Sequence, residues 1–138
     1  MTDLKERIKT HEGYRRKPYL CPAGKLTIGY GRNIEENGIT EAEASFLLDN
    51  DIKISEEECR RAFRWFDNLD EIRRGVIVEM HLNMGLKRLK TFKKMLAACE
   101  KQDYELAARE MLNSLWAREQ VGKRAKTLAN LMKGKDNA

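Results

Sequence analysis

The stretch HEGYRRKPYLCPAGKLTIGYGRN, residues 11–33, decides how the rest of the chain is read. Ahead of it, Leu4 and Ile8 lie four apart on one face of a helix-like segment, with Thr2 suited to its cap. That periodicity stops at Gly13. Pro18, Pro22 and Gly24 then punctuate the chain, and KLTIGYGR alternates as a strand does. The pattern predicts two or three short strands over about residues 14–34, joined by a turn at CPAGK.

Downstream of this element the period becomes helical. Thr40-Glu-Ala-Glu43 is a capping box, in which the Thr40 hydroxyl takes an orphan N–H and Glu43 reaches back to the cap. Ala44, Leu47, Leu48 and Ile52 recur at helical spacing, and Cys59, Ala62, Phe63 and Phe66 repeat the stripe. A second cap signal lies at Asn68–Glu71. The helix after it, IRRGVIVEMHLNMG, is the most apolar and is expected to be central, ending at Gly85. Further stripes follow at Phe92, Met95, Leu96 and Cys99, and at Tyr104, Ala107, Ala108, Met111, Leu112 and Leu115. Val121, Ala125, Leu128 and Met132 make a last helix ending near Gly134, with a frayed GKDNA end. The expected fold class is therefore α+β: a small N-terminal β-hairpin element packed on a mostly helical bundle. A β element this short does not fold alone, and its junction with helices makes a cleft. With 138 residues the chain reads as a single domain, 1–138, with the helical lobe at about 40–134.

The net charge is +5, unevenly spread. Six basic residues lie between Leu86 and Lys101 against Glu100, and six more between Arg118 and Lys135 against Glu119. Residues 39–58 carry seven acids against Lys53. Such asymmetry suggests a polyanionic partner (nucleic acid, phospholipid head groups or an anionic cell wall), and equally suits a solvated surface. Three cysteines without CxxC spacing, and two isolated histidines, argue against a disulfide scaffold or a metal site. No cofactor motif is present. MTDLKERIKT is too charged for a signal peptide, and no apolar run approaches the length of a membrane span. Stable membrane insertion is not expected, and cytoplasmic synthesis is.

Chemistry is best displayed at the β element. Glu12 closes the first helix at the mouth of the strands and suits a general acid. Cys21 sits in the turn and Thr27 on the strand behind it. Taken singly, a helix-end Glu is usually a solvated surface group and a lone Cys a small apolar one.

Taken together, the spacing Glu12-x8-Cys21-x5-Thr27 and the run Thr27-Ile-Gly-Tyr-Gly31 resemble the phage lysozyme (endolysin) family of glycoside hydrolases, T-even type. The resemblance covers nearly the whole chain. It includes Glu12-Gly13, NGIT at 37–40, LDEIRRG, Asn83-Met84-Gly85, Phe92, SLW at 114–116 and KRA at 123–125. It implies a lysozyme-like fold with an interlobe cleft and hydrolysis of the β-1,4 bond between N-acetylmuramic acid and N-acetylglucosamine in peptidoglycan. On that resemblance Glu12 is the general acid. Cys21 stands where aspartate is commonest, and Thr27 orients the attacking water. Asn33, Leu82 and Asn83 line the cleft, and Arg124 reaches toward the acidic glutamate. Glu110 and Met95 depart from the family's amide and hydroxyl. Arg32 replaces a histidine whose acidic partner falls at Asp51, so an Arg32–Asp51 ion pair is expected, and the loop 32–38 is shortened. The implied partner is peptidoglycan, met by a monomer held in the host cytoplasm until a holin releases it. No metal, no cofactor and no nucleic acid are implied. Two other readings stay open: a glycan-binding homologue that cannot cut, because Cys21 replaced a carboxylate, and a basic helical nucleic-acid module, which lacks interleaved aromatics.

Overall fold

The computed structural model describes residues 2–118 and 123–134. Val121, the GKDNA end beyond Gly134 and the Thr2 side chain, named above as parts of helices or ends, lie outside the described residues. The chain forms two compact units, Met1–Leu47 and Leu48–Ala138.

The first unit opens with α1 (Thr2–Glu12), which ends where Gly13, at φ +70°, donates its N–H to the Lys9 carbonyl at 2.8 Å. Three antiparallel strands follow in the order β1 (Arg15–Leu20), β2 (Leu26–Gly29) and β3 (Arg32–Asn33). Tyr19 pairs with Thr27 and Leu20 with Leu26, and a bulge lies between Arg15 and Tyr19. The turn at CPAGK closes with the Cys21 N–H on the Lys25 carbonyl and the Gly24 N–H on the Cys21 carbonyl. Gly24 has φ +79°, a left-handed geometry that other residues adopt at a cost. A short helix not foreseen from the pattern, α2 (Ile34–Asn37), starts at Asn33, whose Oδ1 accepts the Glu36 N–H at 3.0 Å.

Helix α3 (Glu41–Ala62) begins at the predicted capping box. The Thr40 Oγ1 accepts the Glu43 N–H at 3.1 Å, and Glu43 Oε1 accepts the Thr40 N–H at 2.8 Å. The stripe expected of its first turns is not buried: Ala44, Leu47 and Leu48 are exposed.

The core belongs to the second unit. Helix α4 (Glu71–Met84), capped by Asp70, supplies Val76, Ile77, Val78 and Met80, and ends at Gly85 as its φ of +84° requires. Around it stand α5 (Leu86–Leu89), α6 (Lys93–Glu100), α7 (Tyr104–Leu112) and α8 (Lys123–Lys133). Cys59, Phe63, Phe66, Met95, Cys99, Met111, Leu128 and Met132 fill the space between, giving the second unit a contiguous apolar core. The stripe through Tyr104 overreaches: α7 stops at Leu112, so Leu112 and Leu115 are exposed, and Trp116 takes the buried position. A small three-stranded antiparallel sheet near the N-terminus of a mostly helical chain is the expected lysozyme-like α+β class.

Candidate active site

Four of the residues singled out above lie in the first unit: Glu12, Cys21, Thr27 and Asn33. Glu12 is the last residue of α1, and its carboxyl lies against Gly31. A Cβ at position 31 would fall 2.7 Å from Glu12 Oε2 and 2.9 Å from Cδ. Gly31 therefore does two things: it turns the chain at φ +82°, and it leaves room for the carboxyl. The motif TIGYG marks Gly31, but nothing in its spacing links it to Glu12.

Cys21 and Thr27 face each other across the β1–β2 hairpin. Cys21 is a free, partly exposed thiol. The Lys25 backbone N–H, first among its neighbours, pulls the thiol pKa below its ordinary value. Desolvation opposes it, and the Ala23 N–H, the Thr27 hydroxyl and the residue's own N–H add to the lowering, so the net direction is down. Thr27 is only 3% exposed. Its hydroxyl carries one proton, which reaches the Lys25 carbonyl at 2.9 Å when Cys21 is a thiol and can swing to the sulfur when Cys21 is a thiolate. Asn33 spends its side-chain oxygen on the α2 cap, leaving its amide NH₂ for other partners.

The hairpin is held from behind by α2. Glu35 Oε1 accepts the Leu26 N–H at 3.1 Å, and Lys25 Nζ stands 3.3 Å from Glu36. Arg32 is engaged within the same unit: both its terminal nitrogens donate to the Glu43 carboxylate, and one also reaches the Gly38 carbonyl at 3.1 Å. This corrects the expected Arg32–Asp51 pair. The acid that answers Arg32 is the capping-box Glu43, already oriented by Thr40. The Arg32 guanidinium, with the Thr40 N–H, holds the Glu43 carboxyl down to about 2.

The other three residues lie in the second unit, around one groove of about 600 Å³. Leu82, Asn83 and Arg124 line it with Val78, Gly75 and Glu79. Arg124 Nε donates to Glu79 Oε2 at 2.8 Å, a partner on α4 that sequence reading missed because no spacing connects the two. Asn83 Oδ1 accepts the Trp116 Nε1–H at 2.7 Å, which fixes the amide with its NH₂ free. Glu110 and buried Met95 line a different groove, beside Trp116.

A carboxyl seated at the end of a first helix, beside a hairpin that carries a polarised thiol and a hydroxyl, on a lysozyme-like fold, defines the class: a protein built as the polysaccharide-cleaving lysozymes are. The chain belongs to the phage lysozyme family, whose model matches residues 9–134. It is similar to two proteins of Dictyostelium discoideum. "Probable T4-type lysozyme 1" is 26% identical over 167 residues, covering 100% of this chain and 98% of that protein. "Probable T4-type lysozyme 2" is 26% identical over 145 residues, covering 84% of this chain and 85% of that protein. Family membership supports a lysozyme-like glycosidase function.

Proposed function

We propose that this chain is a phage endolysin that hydrolyses the β-1,4 bond between N-acetylmuramic acid and N-acetylglucosamine of bacterial peptidoglycan. In this reading Glu12 gives its proton to the glycosidic oxygen as the bond to the anomeric carbon breaks. A water attacks that carbon from the opposite face and passes its proton to the Cys21 thiolate. Thr27 holds that water or the sulfur through its single hydroxyl. Asn33, Leu82 and Asn83 contact the glycan, and Arg124, paired with Glu79, supports the site. No cofactor takes part. The protein acts as a monomer and reaches the wall from the host cytoplasm through a lesion made by a separate holin. No helix among the described residues is long and apolar enough to cross a membrane.

The observation that carries the reading is the seat of Glu12 against Gly31, in the same unit as the Cys21–Thr27 hairpin. Glu12→Gln keeps the shape of the carboxyl but has no proton to give. Wall lysis by this variant is expected to fall about 10²–10⁴-fold, with the thermal melt unchanged. Lysis at the parental rate removes Glu12 from the chemistry.

A second reading has its own observation. Thr27 is nearly buried and its hydroxyl is engaged by the Lys25 carbonyl, which leaves little of it for water. With Cys21 in place of a carboxylate, the protein would then bind glycan without cutting it. Purified walls that retain the protein but release no new reducing ends would favour this reading.

A further inference from the structure

The densest charge on the molecule takes no part in the site described above. From Leu86 to Lys94 the chain carries Lys87, Arg88, Lys90, Lys93 and Lys94, and no acid. Leu89 and Met95 are buried and pin this segment to the core, so the cations between them face outward. Lys87, Lys90, Lys93 and Lys94 are exposed. Arg88, Lys93 and Lys94 rim a groove of about 480 Å³ whose wall includes Phe92 and Trp116 and whose one acid is Glu110. Several cations outside this segment are answered, Arg60 by Glu57 and Asp67, Arg73 by Asp70 and Arg124 by Glu79, whereas others such as Lys5, Arg7, Arg16 and Lys17 stand apart from one another without a partner among the described residues. None of the five in the segment has an ion-pair partner among the described residues. Like charges held this close repel, and an external polyanion relieves them.

We propose that this cationic groove docks an anionic, phosphodiester-bearing polymer of the cell wall, so that the protein is held near the glycan it cuts. The proposal rests on the reading that the wall is where the protein acts. The shape of the surface selects the occupant. A bilayer presents a flat face and does not enter a concavity. A single-stranded nucleic acid would be met by exposed rings on which bases stack, but Trp116 is buried and edge-on to Phe92, with ring centroids 6.1 Å apart. A stiff duplex, like a bilayer, does not bend into the concavity. A flexible, base-free strand of phosphates fits the cations and asks nothing of the rings.

The test measures binding alone, by fluorescence anisotropy with labelled poly(glycerol phosphate). The parent is compared with Arg88→Gln/Lys90→Gln/Lys93→Gln/Lys94→Gln, which removes the three cations of the groove rim and one beside it. A charge-matched control neutralises exposed cations of the first unit: Lys5→Gln/Arg7→Gln/Arg16→Gln/Lys17→Gln. The groove variant is expected to bind about tenfold or more weakly, and the control within about threefold of the parent. The slope of log K against log salt should lessen by about 2–3 in the groove variant, at about 0.7 per phosphate contact. Equal losses in the two variants, or no loss in either, overturn the proposal. So does tighter parental binding to phosphatidylglycerol vesicles or to duplex DNA than to the polymer. Wall clearing by the parent, scored separately, reports on the proposed hydrolysis and not on the groove.

Discussion

Gly31→Ala isolates the seat of the acid. The new Cβ would stand 2.7 Å from Glu12 Oε2, 2.9 Å from Cδ and 3.3 Å from Cγ. An ordinary carbon–oxygen contact is about 3.5 Å, so the carboxyl must retreat by about 0.8 Å. Glu12 is exposed and its side chain is free to swing, so the retreat is cheap for the fold. It is costly for chemistry, because a reacting group misplaced by about 1 Å loses about 10²-fold. The substitution also places a Cβ at φ +82°, at a strain of about 1 kcal/mol and a melting point lower by about 3–5 °C. Gly29→Ala separates the two effects. Gly29 has φ +71°, but a Cβ there meets nothing within 4 Å. Both variants should melt a few degrees early. In a turbidity assay on purified walls, Gly31→Ala should slow by about 10- to 100-fold, and Gly29→Ala should stay within about threefold of the parent. Equal rates for the two variants would refute the contact with Glu12 as the reason for glycine at position 31.

The thiol is tested by replacement. Cys21→Asp should keep lysis and Cys21→Ala should lose most of it, whereas an alanine variant as fast as the parent would take Cys21 off the catalytic path. Because hydrogen bonds lower the Cys21 pKa, its thiolate fraction near neutrality exceeds that of a free thiol, and lysis should climb with pH on the acid side of the profile, followed at constant ionic strength. Glu43 has a depressed pKa, so its contribution to stability is complete above the usual carboxylate range and is lost as pH falls toward about 2. Urea melts between pH 5 and 2 (values about those limits) should therefore show a steeper acid loss in the parent than in Glu43→Gln. Asn83→Ala strands the buried Trp116 Nε1–H and should cost about 1–3 kcal/mol in denaturant melts, while Leu82→Ala, on an exposed side chain, should cost about 0.5 kcal/mol or less.

What the sequence made legible is what short-range rules govern. The capping box at Thr40, the stop at Gly85, the turn at CPAGK and the buried stripe of α8 are local, and each stands where spacing places it. Contacts between distant segments were not legible. Glu79 answers Arg124 across two helices and Glu43 on α3 answers Arg32 on β3 because the fold brings them together, and no periodicity encodes a partner. The stripe through Leu112 and Leu115 misled for a related reason: periodicity says which face is apolar, not where the helix ends. Of the site, the resemblance named Glu12, Cys21 and Thr27 together, and geometry added Gly31 as the space that Glu12 needs.

The double engagement of Glu43 has a consequence for how this chain tolerates change. One carboxylate caps α3 and grips Arg32 on β3, so it clasps shut the segment between them like the buckle of a strap. The length of a strap matters little once the buckle is fastened. The cost of closing a loop grows only with the logarithm of its length, by about 0.6 kcal/mol for each doubling. Added residues between Gly38 and Ile39, beyond the Gly38 cap of α2 and its bond from Arg32, would leave both ends of the clasp in register. This short connection is thus the natural port in the first unit for grafted peptide, and a place where lineages of the same fold can differ in length without disturbing the hairpin that bears Cys21 and Thr27.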